Sequence, residues 1–335
     1  MQVFSDEKLE EIPMKNLKEI PITDIKNVRI GHAQDPCGGT GCTVLIFDKK
    51  APCGLDVRGG GPASRETQLL DPTASNDGVH AVLLGGGSAY GLDAAGGVMN
   101  YLEEHGIGLP VGEVIVPIVV GSCIFDLGCG NPRVRPDASM GYAACVNSEK
   151  RENPQGNVGA GMGATVGKLL GPERTMKSGL GTYAVSLGDL QVGAVVAVNA
   201  IGDVYQLDSQ KELAGLLSED RKSMISSEEA AVNLMQQTSG FVSNTTIAAI
   251  VTNAKLSKSQ MKKAAQLSSN GMARTIRPVN TSMDGDSVYA LSCGDVPSSS
   301  DVVGTLGAYV LGKAINRAVL ETEEKFGFPA AKSFL

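Results

Sequence analysis

The chain has 335 residues, 42% of them hydrophobic, with 42 glycines and a formal net charge of −7. That much apolar material excludes a disordered chain, and the length suffices for one large domain or two ordinary ones. An acidic balance with 4% aromatic residues and no Trp argues against nucleic acid or any polyanion as partner, because counter-charge and stacking platforms are both scarce.

The leading stretch MQVFSDEKLEEIPMKNLKEIP is charged and lacks the apolar centre of a secretory signal. No apolar run approaches the ~20 residues that cross a bilayer, so a cytoplasmic location with no membrane partner is expected. Strand candidates follow ITDIKNVRIGHAQ at 42–47 and 80–84. GGGSAYGLDAAGGVMNYLEEHG then reads as a glycine turn entering a helix. Leu92, Ala95, Met99 and Leu102 share one face, and Gly106 stops it. The runs VIVPIVV (114–120) and VGAVVAVNAIGDV (192–204) are short enough to be buried strands. From about 206 to 240, Lys, Glu, Ser and Gln dominate, which predicts one or two exposed helices or a long surface excursion. A strand over 245–252 comes next, then a helix opened near Ser257 by SKSQ, whose Ser and Gln can satisfy each other's orphan backbone donors. A strand over 288–292 and a long helix over 302–326 complete the chain. Strands and helices mixed without strict alternation predict a layered α/β sandwich around one core.

Few of the usual chemical signatures are present. The seven cysteines form no paired C-x-x-C pattern and read as reduced, mostly packing residues. His32, His80 and His105 have no evident catalytic partner. GGGSAYG stands before a helix but matches neither common phosphate fingerprint, so its glycines are assigned to close strand–helix packing. In DVRGGGPASRET, Arg58, Arg65 and Glu66 either line a site or belong to a structural turn. MDGD sets Asp284 and Asp286 about a glycine, as a plain Asp-Gly turn or a carboxylate pair; the further oxygen ligands of a calcium loop are missing. Lys168 ends GAGMGATVGK, either solvated or held against backbone. Asn199 interrupts an apolar run, and a buried amide must find partners or cost roughly 1–3 kcal/mol; it is a structural bridge or a donor aimed at a ligand.

SNTTIAAIVTNA (243–254) has three readings. The first is an N-glycosylation sequon, which fails without a secretory signal. The second is a buried strand with hydroxyls at its edge. The third is a self-cleaving hydrolase. There a threonine hydroxyl attacks the preceding carbonyl, and water releases a threonine carrying both nucleophile and α-amine. That amine, with an unperturbed pKa of about 8, can accept the hydroxyl's proton without any histidine.

In order along the chain, ITDIKNVRIGHAQ, GTGCTVLIF, DVRGGGPASRET, GGGSAYGLDAAGGV, RPDASMGYAA, GNVGAGMGATVGK, VVAVNAIG, NTTIAAIVTNAKLS and MDGDSVYAL resemble the self-processed L-aminopeptidase/D-Ala-esterase and β-aminopeptidase family. That family also contains the nylon-oligomer endo-hydrolases. The resemblance implies a four-layer αββα sandwich like other N-terminal-nucleophile hydrolases, formed by one domain over 1–335. It implies a cut between Asn244 and Thr245 into a large chain, 1–244, and a small chain, 245–335. Thr245 matches the nucleophile, Lys168 the lysine that keeps its amine neutral and orients the hydroxyl, and Asn199 the oxyanion donor. Asp284 and Asp286 match the acidic pair of the nylon-hydrolase branch and would orient the amine and Lys168. Aminopeptidase branches carry a Glu and a Tyr in the loop after VP-V-V, where VVGSCIFDLG has Cys123 and Phe125. The glutamate that holds a substrate's amino group is therefore absent, and Phe125 and Arg58 are candidates for the substrate pocket. The expected function is aminopeptidase-type hydrolysis of small peptides or amino-acid amides through an acyl-threonine. The alternatives are endo-hydrolysis of ω-amino amide oligomers, acyl transfer of the ornithine acetyltransferase type, and a non-catalytic binding module. No cofactor or metal is expected, and a homo-oligomer of processed heterodimers is.

Overall fold

Runs of consecutive apolar residues need burial on both faces of their sheet, and that requirement organises this fold. A computed structural model describes residues 17–234 and 244–335; most of the charged leader and residues 235–243 of the polar excursion lie outside them. One sheet has six strands in the order Lys18–Ile20, Leu180–Leu187, Leu190–Asn199, Thr245–Ala254, Ser287–Val296, Cys53–Val57. Along its central strands Val192, Ala194, Val196, Ala248 and Ile250 pack under the helices Lys258–Ser268 and Ser300–Leu320. The intervening residues Val195, Ala197, Ile247, Ala249 and Val251 face a second sheet.

That second sheet has five strands, ordered Val28–Asp35, Thr40–Ala51, Val79–Gly85, Val119–Cys123, Ala63–Arg65. Its outer face carries Cys42, Val44, Ile46, Ala81 and Leu83 beneath the helices Ala94–Glu104 and Ala138–Asn147. The result is the four-layer αββα sandwich. Two sheets each buried on both faces produce three hydrophobic layers, not the one core expected from the mixed pattern. Among the described residues no helix is long and apolar enough to cross a membrane.

Three expected elements differ. VIVPIVV is not one buried strand: Pro117 has no N–H to give a ladder, and the run divides there. Val114–Val116 pairs with Leu109–Val111 in an exposed hairpin, while Val119–Cys123 sits inside the five-stranded sheet. The polar excursion is partly inward-facing, with Leu213, Ala214, Leu216 and Leu217 buried in short strands ahead of the helix Ser227–Leu234. The last helix, Ser300–Leu320, ends before its charged tail; Phe326 and Gly327 beyond it turn through positive φ of 57° and 78°. The SKSQ capping box is present as expected, with Ser257 accepting from the Gln260 N–H and Gln260 bonding back.

The outer helix pair crosses at glycine. A Cβ on Gly97 would lie 1.7 Å from the Ala138 carbonyl oxygen, whereas one on Gly96 would meet nothing within 4 Å. Gly97→Ala is therefore expected to destabilise by about 1–3 kcal/mol. Its neighbour Gly96→Ala is expected to stabilise by about 0.5–1 kcal/mol through lower backbone entropy of the unfolded chain. Urea unfolding of the two variants checks the pair, and equal effects would contradict the packing.

Candidate active site

Thr245 opens the strand Thr245–Ala254 and pairs antiparallel with Asn199, the last residue of Leu190–Asn199. The Thr245 side chain faces the carbonyl it follows: its hydroxyl donates to the Asn244 carbonyl oxygen. The same oxygen accepts from the Gly285 N–H at 2.8 Å, and the Asn244 N–H donates to the Met283 carbonyl at 3.3 Å. Asn244 is 0% exposed and Thr245 3%. A peptide bond so deeply buried is out of reach of another protease, but not of its own neighbours.

The turn MDGD lies against this bond. Asp286 accepts from the Thr246 N–H at 2.6 Å and the Asn280 N–H at 3.0 Å. Asp284 accepts from the Thr281 N–H and hydroxyl, both at 2.7 Å, through one oxygen; its Oδ1 is buried without a hydrogen-bond partner. Burial raises the pKa of both carboxyls, and Asp284 raises Asp286 further. The glycines of DVRGGGPASRET clasp this turn by backbone: Gly59 N–H donates to Asp286 O and Gly61 N–H to Asp284 O at 2.8 Å. A Cβ on Gly59 would stand 2.3 Å from Asp284 O, so close approach decides the residue there.

Lys168 approaches from beside the segment that follows Asn199, its N–H donating to the Ile201 carbonyl at 3.1 Å. Gly167 before it turns at φ +70°, and its would-be Cβ meets the Gly215 backbone at 2.1 Å, which requires glycine in that position. The Lys168 ammonium is buried and donates to the Asn199 carbonyl at 3.0 Å. Burial pushes its pKa down to about 7, against the attraction of Asp284 and Asp126. The Asn199 side chain accepts from the Thr165 N–H at 3.1 Å and donates to the Phe125 carbonyl at 3.0 Å. It is both the bridge and a donor with one N–H to spare.

Near the cavity, Lys177 and Asp126 are buried ionisable groups that were not anticipated. Lys177 is fully buried on the carbonyls of Gly161, Ala164 and Ser178 at 3.3, 2.9 and 2.5 Å. It thereby fixes the glycine-rich turn before Lys168. Asp126 is buried, accepting from the Thr40 hydroxyl at 2.7 Å and the Gly87 N–H at 2.6 Å, with burial raising its pKa to about 6. The turn GGGSAYG thus does offer a backbone donor to an anion, but the anion is the protein's own carboxylate. Phe125, Asp126, Thr165, Lys168, Pro172 and Phe328 line a cavity of about 280 Å³ beside these groups.

Residues 21–328 match the profile of peptidase family S58. The chain belongs to that family. An uncharacterized aminopeptidase of Mycobacterium leprae is 38% identical, over 91% of each chain. A 6-aminohexanoate-oligomer endohydrolase of Kocuria sp. is 31% identical, over 85% of this chain and 79% of that one. Among solved structures, the L-aminopeptidase D-Ala-esterase/amidase of Ochrobactrum anthropi superposes with a TM-score of 0.67 at 17% identity, covering 92% of this chain and 88% of the other. A Burkholderia sp. β-aminopeptidase gives 0.62 at 19% identity, over 91% and 88%. The Ochrobactrum protein is described as a variant of the Ntn hydrolase fold, and the four layers here share that architecture.

As a member of peptidase family S58 the chain is a peptidase, and the positions singled out in its sequence fall in two places. Thr245, Asn199, Lys168, Asp284 and Asp286 converge on the Asn244–Thr245 bond, and Phe125 lines the cavity. Arg58 does not reach the cavity, because its guanidinium is held by Asp56 at 2.7 Å and the Gln266 carbonyl at 2.7 Å. Its backbone N–H, donating to Asp286 O at 3.1 Å, is what serves the site. Cys123 is a buried thiol whose pKa burial raises, so it cannot hold a substrate ammonium. The histidines sit in structural contacts. Burial lowers His32 to about 4, and its Nδ1 lies 3.0 Å from the Thr43 hydroxyl. His80 Nδ1 accepts from the Ile118 N–H at 3.0 Å, and His105 stacks on Tyr101.

Proposed function

We propose that this S58 peptidase is a self-processed, aminopeptidase-type amide hydrolase with Thr245 as its N-terminal nucleophile. In the first reaction the Thr245 oxygen bonds to the Asn244 carbonyl carbon and the C–N bond breaks. The hydroxyl proton passes to the departing Thr245 nitrogen. Water then hydrolyses the ester, giving a carboxylate on Asn244 and restoring the hydroxyl beside a free α-amine. In the second reaction that amine takes the hydroxyl's proton as it attacks a substrate amide, and water releases the acyl group.

The observation that carries this reading is the burial of the Asn244–Thr245 bond with the threonine hydroxyl already on its carbonyl. Supporting groups have roles by position. The Lys168 cation favours the neutral amine. The spare N–H of Asn199 suits an oxyanion, where one donor is worth about 3–4 kcal/mol. Asp284 Oδ1, buried without a hydrogen-bond partner, suits the new amine. The cavity behind Phe125 takes the substrate, a small peptide or amide.

The pieces would stay together after cutting. Thr245–Ala254 and Ser287–Val296 from the small piece lie between Leu190–Asn199 and Cys53–Val57 from the large one. Both outer edges of that strand pair are therefore bonded across the cut. Assembly of these heterodimers into a homo-oligomer in the cytoplasm is part of the same proposal. Intact-mass spectrometry of the purified protein tests it. Two fragments, ending at Asn244 and starting at Thr245, are expected; a chain that stays whole on long incubation and hydrolyses no amide would defeat the reading.

A further inference from the structure

The self-processing reading leaves open what stabilises the charge that grows on the Asn244 carbonyl oxygen when Thr245 attacks. Residue 244 is locked by a two-bond bridge to the MDGD turn: its N–H donates to Met283 O and its carbonyl accepts from Gly285 N–H. The carbonyl cannot rotate away from that donor without breaking the bridge. The turn itself cannot drift, because Gly59, Gly60 and Gly61 donate to the carbonyls of Asp286, Thr281 and Asp284. At Gly285 a side chain is excluded: a Cβ would stand 2.8 Å from the Thr245 hydroxyl oxygen and 3.0 Å from Gly61 O. The Asn199 amide, by contrast, is engaged with Thr165 and the Phe125 carbonyl on the cavity side.

We infer that the backbone N–H of Gly285 is the oxyanion donor of the self-cleavage step, distinct from the Asn199 amide that serves substrate. The inference rests on the self-processing reading above. In the attack, the carbonyl π electrons move onto the Asn244 oxygen as the Thr245 Oγ–C bond forms. The N–H already aimed at 2.8 Å holds that charge without reorganisation. Collapse returns the electrons, expels the Thr245 nitrogen with the hydroxyl's proton, and leaves the ester for water to hydrolyse. The MDGD motif thus has a reason for its middle residue: the aspartates position, and the glycine between them supplies the N–H and leaves room for the nucleophile.

Replacing Gly285 by glycolate in the full chain, through in vitro translation with the hydroxy acid, puts an ester oxygen where the N–H stood. Time-resolved intact mass is expected to show self-cleavage slowed by about 10²-fold, the usual effect of one lost oxyanion donor. Glycolate at Gly156 removes a backbone bond of the same 2.8 Å length, to Leu180 O, away from the MDGD turn, and its rate is expected within a few-fold of the parent. Circular dichroism of all three chains checks that they fold. A Gly285 ester that cuts at the parent's rate, or only as slowly as the Gly156 ester, overturns the inference while self-processing stands. A parent chain that never cuts removes the self-processing reading and this inference with it.

Discussion

Thr245→Ala is expected to remain a single chain of 335 residues and to lose amide hydrolysis by a factor of about 10⁶, the scale seen when a nucleophile is removed from a preorganised site. In the proposed scheme the missing hydroxyl is the attacking group in both reactions, so the two losses would have one cause. Thr245→Ser keeps the oxygen and should still cut, because the Gly285 N–H and the flanking aspartates do not depend on the lost methyl. The neighbouring threonine gives the contrast. Thr246 meets Asp286 through its backbone N–H, and its hydroxyl is buried without a hydrogen-bond partner. Thr246→Val keeps the shape, drops an unpaired polar group, and should cut normally with unchanged or slightly higher stability. Intact mass and an amide assay on the three proteins decide it. Cleavage of Thr245→Ala at this bond, or arrest of Thr246→Val, would assign the chemistry to the wrong residue.

Local chemistry was legible where the cause was local. SKSQ announced its capping box because both partners lie within one turn. The αββα layering was implied by the family resemblance, while runs such as VGAVVAV showed only that a strand would be buried on both faces. Pro117 carried a warning that the run VIVPIVV would divide, since a proline cannot serve a central ladder. What the sequence hid was long-range. Nothing near Gly59 says that it will pack on Asp284, more than two hundred positions away. The glycine turn at 85–87 gives no sign that its anion is Asp126. A signal for Asp126 did exist, and it was the same one that exposed Asn199: a polar residue inside an apolar run, SCIFDL, which must be partnered if buried. Lys177 offered no such cue, because TMKSG reads as an ordinary surface turn.

Lys168 carries the second large expectation, and its sign follows from burial. Its folded pKa of about 7 lies below the unperturbed value of about 10.4. A depressed lysine contributes stability that is complete above the unfolded value and lost as pH falls through the folded one. Lys168→Met removes that penalty, so the variant's stability relative to the parent should improve between pH 10 and pH 7, by a few kcal/mol at most, and then level off. Activity should move the other way. Without the cation the Thr245 α-amine is no longer held neutral, so turnover should drop by about 10²-fold. The acid limb of the pH–rate profile, which belongs to the coupled amine pair, should shift up toward about 8, the value of an unperturbed α-amine. Thermal or urea unfolding across pH 6–10, run beside the rate profile on protein already cut, separates the two effects. A stability difference flat with pH would deny the buried ammonium, whereas an unmoved acid limb would deny its influence on the nucleophile's base. Both must hold for Lys168 to be the charge that lets a threonine do without histidine.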